Sequence, residues 1–195
     1  MRIDRAEPNK NIVRGFKAYE LLLSRHPELR GKVTFLAFLV PSRTHIRQYQ
    51  RYMDEILQVV KQINDAFGNE EWQPIRTFIE NNYTQAIAAM KLYDILLVNT
   101  IIEGMNLVAK EGPVVNNRDG VLILSVSSGV HHQLAEGALT ISPTDIEGTM
   151  KALHQAVTMA PEDRKHRASL LVDSINREDI THWLCRQLTD IASLI

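Results

Sequence analysis

Two stretches of the sequence combine charged side chains with backbone features that favour anion binding. In the first, Arg5 and Lys10 lie in one loop just before a predicted helix. The first amide groups of a helix have no intrahelical acceptor, so a helix start beside two cations suits a phosphate or a diphosphate. Two basic residues in a loop are more often solvated surface charges, and this loop alone does not establish a site.

The second stretch, residues 103–111, follows the predicted strand Ile95–Val98. Gly104 has no side chain and would let the backbone come close to a ligand. A helix that begins there would aim unsatisfied amide donors at an anion. These donors are the amides of Met105, Asn106 and Leu107.

Two carboxylates frame this second stretch. Glu103 and Glu111 are eight residues apart, which is about 12 Å along a helix. That length is comparable to the distance from the sugar to the ribose across a diphosphate, so each carboxylate could accept hydroxyls at one end. Leu107 and Val108 would share a helix face with Glu111. The spacing fits an ordinary surface helix equally well.

Composition excludes several classes of protein. The 195 residues carry 22 Lys+Arg against 23 Asp+Glu, and this balance lacks the basic excess of a dedicated nucleic-acid binder. One cysteine cannot form an internal disulfide, which favours a reducing, cytoplasmic location. The longest apolar run, Phe35–Val40, is far shorter than the roughly 20 residues of a membrane helix. No membrane association is therefore predicted.

Common cofactor and metal motifs are missing from the sequence. It has no phosphate-binding G-x-x-x-x-G-K-[ST] loop, no G-x-G-x-x-G, no G-x-S-x-G elbow and no H-E-x-x-H. Seven histidines are present, but the adjacent pair His131-His132 would point apart on a helix or a strand. We therefore predict no cofactor and no metal site.

The elements that must position these residues alternate between strands and helices. Continuous apolar stretches predict strands covered on both faces, as in a parallel sheet. Besides Ile95–Val98 these are Val33–Val40, Ile75–Ile79, Val121–Leu124 and Ala138–Ile141, with a further strand presumed at the N-terminus. The alternation predicts an α/β fold, an open, doubly wound, Rossmann-like parallel sheet flanked by helices.

Helical periodicity and end signals place the intervening elements. Helices are predicted at 11–24, 46–67 with Gly68 as C-cap, 84–93, and from a Thr144–Glu147 capping box to Met159. Gly112-Pro113 would end the helix after Glu103, Pro161 would open another, and the last would run over 179–195. We read residues 1–195 as one domain, in which 161–195 form closing helices.

Arg5-x-x-x-x-Lys10 together with Glu-Gly-Met-Asn-Leu-Val-Ala-Lys-Glu at 103–111 resembles the trehalose-6-phosphate synthase family. These enzymes are retaining glucosyltransferases with two Rossmann-like domains. The resemblance runs from about Ile3 to Trp183 and matches their C-terminal, nucleotide-sugar-binding domain. It includes the Pro41–Tyr49 and Tyr93–Val98 segments.

The resemblance implies a role for each matched position. Arg5 and Lys10 would clamp the diphosphate of UDP-glucose or GDP-glucose, and their charge would stabilise the leaving diphosphate without a metal. Glu103 would hold the donor glucose. The remaining donor contacts would come from the Met105 and Asn106 backbone, from Leu107 and Val108 beside the nucleoside, and from Glu111 on the ribose. Arg43 would help bind the acceptor phosphate.

Several positions differ from the usual family pattern. Glu103 replaces an Asp and Ile102 an Arg, while Glu7 replaces an Asp and Asn11 a Gly. The family's base-contacting segment has no clear match near residues 81–83. The donor base and the acceptor therefore stay open, and another phosphorylated acceptor is an alternative.

The family's enzymes are about twice as long, and their N-terminal half supplies most acceptor contacts. We expect the present chain to lack that acceptor domain and to be inactive alone. A non-catalytic binding or assembly module is the main alternative, and an unrelated hydrolase-like α/β domain a weaker one. An apolar stripe on the last helix would fold back or pair two copies in a homodimer. The stripe comprises Ile180, Trp183, Leu184, Leu188, Ile191 and Ile195.

Overall fold

Six short parallel strands form the centre of the protein. The computed structural model describes residues 1–194. The strands are β1 (Arg2–Arg5), β2 (Phe35–Val40), β3 (Ile75–Phe78), β4 (Ile95–Val98), β5 (Val121–Ser125) and β6 (Leu139–Ile141). They pair as two three-stranded sheets, β1-β2-β3 and β4-β5-β6. The amide of Leu97 donates to the Met1 carbonyl at 2.9 Å, which places β4 beside the start of β1.

The strands therefore follow the order β3-β2-β1-β4-β5-β6, which is that of a doubly wound α/β sheet. This confirms the predicted fold class. The presumed N-terminal strand exists, and the other predicted strands differ from the observed ones by at most two residues at an end.

Eight α-helices surround the strands in the described residues, besides two short 3₁₀ helices at Pro8–Lys10 and Pro27–Leu29. The α-helices are α1 (Ile12–Arg25), α2 (Arg47–Phe67), α3 (Tyr83–Met90), α4 (Leu107–Val115), α5 (His131–Leu134), α6 (Ile146–Thr158), α7 (Pro161–Arg177) and α8 (Ile180–Ala192). Pro161 occupies the first turn of α7, as predicted. Gly68 is the C-cap of α2, where a Cβ would lie 2.5 Å from the Asn64 carbonyl oxygen.

The sheet separates two apolar clusters, and neighbouring strand residues contribute to different ones. Leu97 and Ile123 belong to the larger cluster, which also contains residues of α1, α2 and α6. Leu96 and Leu122 belong to the smaller cluster, together with Leu171 of α7. Because side chains alternate across a strand, the two faces of the sheet bury different helices. This explains why β2 and β4 are apolar along their whole length.

Several predicted helix boundaries are wrong. Helix α3 ends at Met90 rather than at Tyr93, and α8 ends at Ala192 rather than running on through Leu194. Helix α4 continues through Gly112-Pro113 to Val115. Pro113 has no amide to donate, but the last turn is closed by the Asn116 amide, which donates to the Gly112 carbonyl at 3.1 Å. Helix α6 is capped by Asp145 rather than by Thr144. The Asp145 carboxylate accepts the amide of Gly148 at 2.8 Å.

The last two helices differ in how they are held. Helix α7 packs against α4 and α5, whereas none of the described residues of α8 is buried. The predicted apolar stripe lies exposed on α8, with Trp183 57% and Leu188 58% accessible, so the fold-back alternative is wrong for the described residues. Ile195, the last stripe residue, lies outside them. Within residues 1–194, no helix is both long and apolar enough to cross a membrane.

Candidate functional site

The two predicted segments meet where the winding of the sheet reverses. Strands β1 and β4 are neighbours, but β1 connects onward to β2 on one side and β4 to β5 on the other. The loops that leave their carboxyl ends lead to opposite sides of the sheet, and the crevice expected between them is where open α/β sheets bind ligands. The backbone of the two loops is joined directly, because the Ile101 amide donates to the Asn9 carbonyl at 2.8 Å.

Lys10 and Glu103 form an ion pair across this crevice. Lys10 is only 7% exposed, and its ammonium group donates to Oε1 of Glu103. Oε2 of Glu103 accepts from the Asn106 amide group at 2.8 Å. Oδ1 of Asn106 in turn accepts the backbone amide of Ala109 at 2.9 Å, which caps α4. A continuous polar chain therefore links the first segment to the start of α4.

A buried arginine holds the Lys10 loop from beneath. Arg2 is fully buried in β1, where its guanidinium donates to Asp4 Oδ2 at 2.8 Å and to the Lys10 carbonyl at 2.7 Å. Burial raises the pKa of the Asp4 carboxyl, while Arg2 and Lys10 act in the opposite direction. Gly15 of α1 makes room, because a Cβ there would lie 2.7 Å from the Arg2 guanidinium.

Asn11 fixes the junction between the loop and α1. Its φ of 56° is left-handed, a conformation that asparagine tolerates better than most residues, which accounts for Asn in place of the family's glycine. Its amide group donates to the carbonyls of Asn99 at 2.9 Å and Pro143 at 2.7 Å. Asn99 returns a bond to the Asn11 carbonyl at 3.1 Å.

This supporting layer was not predicted from the sequence. Arg2 and Asp4 are two residues apart on a strand, so their side chains share one face. This pair of opposite charges on a buried strand was the signal that could have predicted their ion pair. The reciprocal contact between Asn11 and Asn99 joins positions distant in sequence, for which a single sequence carries no signal.

The loop after β5 fixes the backbone of Glu103. The Glu103 amide donates to the Ser127 carbonyl at 3.3 Å, and the Gly129 amide donates to the Glu103 carbonyl at 2.9 Å. A Cβ on Gly129 would lie 1.8 Å from the Gly104 carbonyl oxygen, so only glycine fits. Gly104 has open space where its own Cβ would project. The backbone at Gly104 is therefore accessible, as predicted.

The other two predicted cations lie nearer the surface. The side chain of Arg5 is 57% exposed, and its guanidinium contacts Glu7 Oε1 at 2.8 Å. The same oxygen accepts from the Ser42 hydroxyl at 2.7 Å, which ties the loop after β1 to the loop after β2. Arg43 is exposed, donates to the Tyr49 hydroxyl at 2.7 Å, and lies over the Tyr49 ring.

The start of α4 differs from the prediction. Because Asn106 is its N-cap, the first free helical amides are those of Leu107 and Val108, and Met105 lies before the helix. Glu103 lies outside the helix, so the expected 12 Å separation along one helix from Glu111 does not apply. Met105 and Leu107 are 59% and 60% exposed, while Val108 and Glu111 are half-buried.

Known proteins resemble the chain over nearly its whole length. The glycosyltransferase family 20 model matches residues 1–193. A bifunctional trehalose-6-phosphate synthase/phosphatase from Thermoproteus tenax is 36% identical over 186 residues, which cover 93% of this chain and 25% of that protein.

Two solved structures have the same fold. An α,α-trehalose-phosphate synthase (UDP-forming) from Burkholderia xenovorans, in complex with glucose-6-phosphate, superposes with a TM-score of 0.93 at 29% identity, covering 98% of this chain and 43% of that one. The Escherichia coli protein bound with UDP-2-fluoro glucose superposes with a TM-score of 0.91 at 29% sequence identity. The match covers 97% of this chain and 43% of that one. The chain thus spans less than half the length of these relatives. The match over residues 1–193 shows that the chain belongs to glycosyltransferase family 20.

Proposed function

We propose that the chain is the donor-binding part of a retaining glucosyltransferase. The complete enzyme would move glucose from UDP-glucose or GDP-glucose to glucose 6-phosphate and release trehalose 6-phosphate. The observation that carries this proposal is the meeting of Lys10, Glu103 and the start of α4 at the reversal point of the sheet. Two relatives support it, because one was solved bound with UDP-2-fluoro glucose and the other in complex with glucose-6-phosphate.

Lys10 would bind the diphosphate without releasing Glu103. An ammonium group has three donors, and those of Lys10 face Glu103 and, at 3.8 Å, Asp4. A donor directed into the crevice would be a charge-assisted partner for a phosphate oxygen. As the bond between glucose and phosphate breaks, negative charge grows on the departing diphosphate, and the buried Lys10 and the exposed Arg5 would stabilise it.

Glu103 would orient the donor glucose. Each of its oxygens already accepts one hydrogen bond, from Lys10 and from Asn106, and a carboxylate can accept about four. The remaining capacity suits sugar hydroxyls. Since the Asn106 side chain is committed to Glu103 and to the cap of α4, we assign it a positioning role, and only the backbone of Met105 and Asn106 would contact the donor.

The α4 helix would hold the nucleotide. The free amides of Leu107 and Val108 open the helix and would meet a phosphate, while their side chains would flank the nucleoside. Glu111 is half-buried one turn later and would accept the ribose hydroxyls. None of these contacts distinguishes uridine from guanosine, so both donors remain in the proposal.

Acceptor binding would need a further domain. Arg43, stacked on Tyr49 in an exposed loop, would offer its guanidinium to the acceptor phosphate. The proposed partner is the family's N-terminal domain, because the relatives extend well beyond the matched region. We therefore propose nucleotide binding without turnover by this chain alone, in the cytoplasm, with a homodimer through α8 as a further proposal.

Calorimetry with UDP and GDP tests the donor site. We expect weak binding of one nucleotide, and Lys10→Ala or Arg5→Ala should weaken it by about 1.5–3 kcal/mol because each removes a charge-assisted bond. Lys17→Ala, which removes an exposed cation from α1, is the matched control and should change little. Glu111→Gln should weaken uridine or guanosine as well as the nucleotide.

Three results would contradict the proposal. If the folded protein gives no heat of binding at millimolar nucleotide, the chain has no donor site. Equal losses of nucleotide affinity in Lys10→Ala and Lys17→Ala would show that the effect depends only on the net charge of the protein. Glucosyl transfer by this chain alone would show that the acceptor site does not need another domain.

A further inference from the structure

A cluster of metal-ligating side chains lies away from the donor crevice, where α1 and α6 end beside each other. His26 follows the last residue of α1, Glu28 lies two residues further on, and His154 is in the last turns of α6. The rings of His26 and His154 stack with centroids 3.8 Å apart and planes 17° apart. Nδ1 of His26 lies 3.1 Å from Oε1 of Glu28.

We propose that His26, Glu28 and His154 bind a divalent transition metal ion, with Zn²⁺ as the best match. One nitrogen or oxygen atom from each of the three lies within 4.8 Å of the other two. Two imidazoles and a carboxylate are a ligand set that zinc accepts, with bonds of about 2.0–2.2 Å and a fourth position open to water. Hard cations such as Mg²⁺ and Ca²⁺ prefer oxygen ligands instead.

The distances require only a small rearrangement. In a tetrahedral zinc site, bonds of about 2.0–2.1 Å place neighbouring ligand atoms roughly 3.3–3.4 Å apart. The pair formed by His26 and Glu28 already has nearly this spacing, at 3.1 Å. An imidazole binds a metal in its own ring plane, so two nearly parallel rings cannot both face one ion. The His154 ring must therefore turn about its Cβ–Cγ bond.

The surroundings leave Glu28 available to a metal. Its side chain is 59% exposed and contacts Nδ1 of His26. The neighbouring cations have another partner, because Arg25 contacts Glu147 at 3.0 Å and Lys151 contacts the same oxygen at 3.3 Å. Glu28 therefore faces the two imidazoles rather than a permanent positive charge.

The two helices also fix the ligands before a metal binds. Helices α1 and α6 pack against each other in the larger apolar cluster, so the backbone positions of His26 and His154 are set by the core. A bound ion would connect the ends of both helices. This site would stabilise the fold, and it is independent of the proposed donor function because Lys10 lies beyond the opposite end of α1.

Zinc titration of the whole 195-residue chain tests the proposal. We expect one Zn²⁺ per chain by calorimetry, and an unfolding midpoint raised by roughly 5–10 °C when free Zn²⁺ is about a hundredfold above Kd. MgCl₂ at the same concentration should do neither. Co²⁺ should give the visible absorption of a low-symmetry site with nitrogen and oxygen ligands.

Variants assign the ligands. Loss of an outer hydrogen bond to a metal ligand typically costs about 10–100-fold in affinity, so His26→Gln, Glu28→Gln and His154→Gln should each cost at least roughly tenfold. His166→Gln changes an exposed histidine of α7 and should leave zinc binding intact. Circular dichroism without metal checks that every variant folds.

The proposal is overturned if folded wild-type protein shows neither heat nor a midpoint shift at millimolar Zn²⁺. It is also overturned if the His154→Gln and His166→Gln variants bind alike, since the ion would then bind elsewhere, or if Mg²⁺ reproduces the stabilisation. UDP or GDP binding that persists in His154→Gln keeps this test separate from that of the donor site.

Discussion

The carboxyl edge of the sheet and helix α8 differ in which side chains are buried and which are exposed. At the edge, charged groups are buried: Arg2 is fully enclosed and Lys10 is 7% exposed, each with partners of opposite charge. On α8, large apolar groups are exposed, including Trp183 and Leu188, and none of its described residues is buried. The buried charges at the edge find their partners within this chain, whereas α8 presents a surface that another protein could cover.

The free-energy costs of burying charge and of exposing apolar surface explain what each region implies. Burying a charge is expensive, so the partners at the edge must be held in place, which makes the loop after β1 rigid before any ligand binds. Leaving apolar surface in water forgoes about 25 cal/mol for each Å² that could be buried, and exposed patches of this kind commonly mark an interface. Substitutions in the two regions should therefore differ in what they affect.

The largest effect is expected from the buried arginine. Arg2→Gln removes the charge that faces Asp4 and the donor to the Lys10 carbonyl, and it leaves a buried carboxylate without its main partner. We expect a loss of about 3–5 kcal/mol in the free energy of unfolding. Arg186→Gln makes the same change on exposed α8 and should stay within about 0.5 kcal/mol. Urea unfolding of both variants measures the difference, and equal losses would contradict the comparison.

Two glycines at the edge sharpen the comparison further. Gly129→Ala places a methyl group against the Gly104 carbonyl oxygen and should cost about 1–3 kcal/mol of stability by overpacking. Gly104→Ala meets open space, so its stability should be nearly unchanged while UDP-glucose binding weakens. Thermal unfolding and calorimetry on the same samples separate the two. Unchanged ligand binding in Gly104→Ala would place the donor away from this backbone.

The same division shows how far the sequence was informative. Apolar patterning predicted β2 to β6, whereas β1 was only presumed. Arg5, Lys10 and the segment at 103–111 identified the family, and the structure brings Lys10 and Glu103 together. The supporting contacts were not predictable, because Asn11 and Asn99 meet only through the arrangement of the whole sheet. The prediction of no metal site rested on sequence spacing, whereas His26 and His154 become neighbours only when α1 packs on α6.

Local signals also failed where packing decides the outcome. The Gly112-Pro113 pair predicted the end of α4, but Gly112 lies against Leu96 and Tyr93, where its lack of a Cβ permits close packing. The glycine serves helix packing rather than termination, and the helix continues past it. A glycine needed for close approach and a glycine that ends a helix look alike in sequence.

The smallest expected effect on stability, and the largest on assembly, comes from α8. Trp183 and Leu188 lie on the exposed stripe, so Trp183→Asp with Leu188→Asp should leave the free energy of unfolding of a monomer nearly unchanged. If the stripe pairs two copies, light scattering should find a wild-type dimer at micromolar concentration and a monomeric double variant. Arg186→Asp, which adds negative charge on the other side of α8, should remain dimeric.

Each result of this last experiment has one structural meaning. A monomeric wild type would contradict the homodimer, and another partner would then have to cover the stripe. The family's N-terminal domain, added as a separate protein, would be the first partner to test. A dimer that survives both substitutions moves the interface elsewhere, and the exposed side of α2 would be examined next, because Leu57 is 40% exposed there. A dimer broken equally by Arg186→Asp would attribute association to charge. The apolar stripe is assigned as the contact surface only if the double variant loses the dimer while Arg186→Asp keeps it.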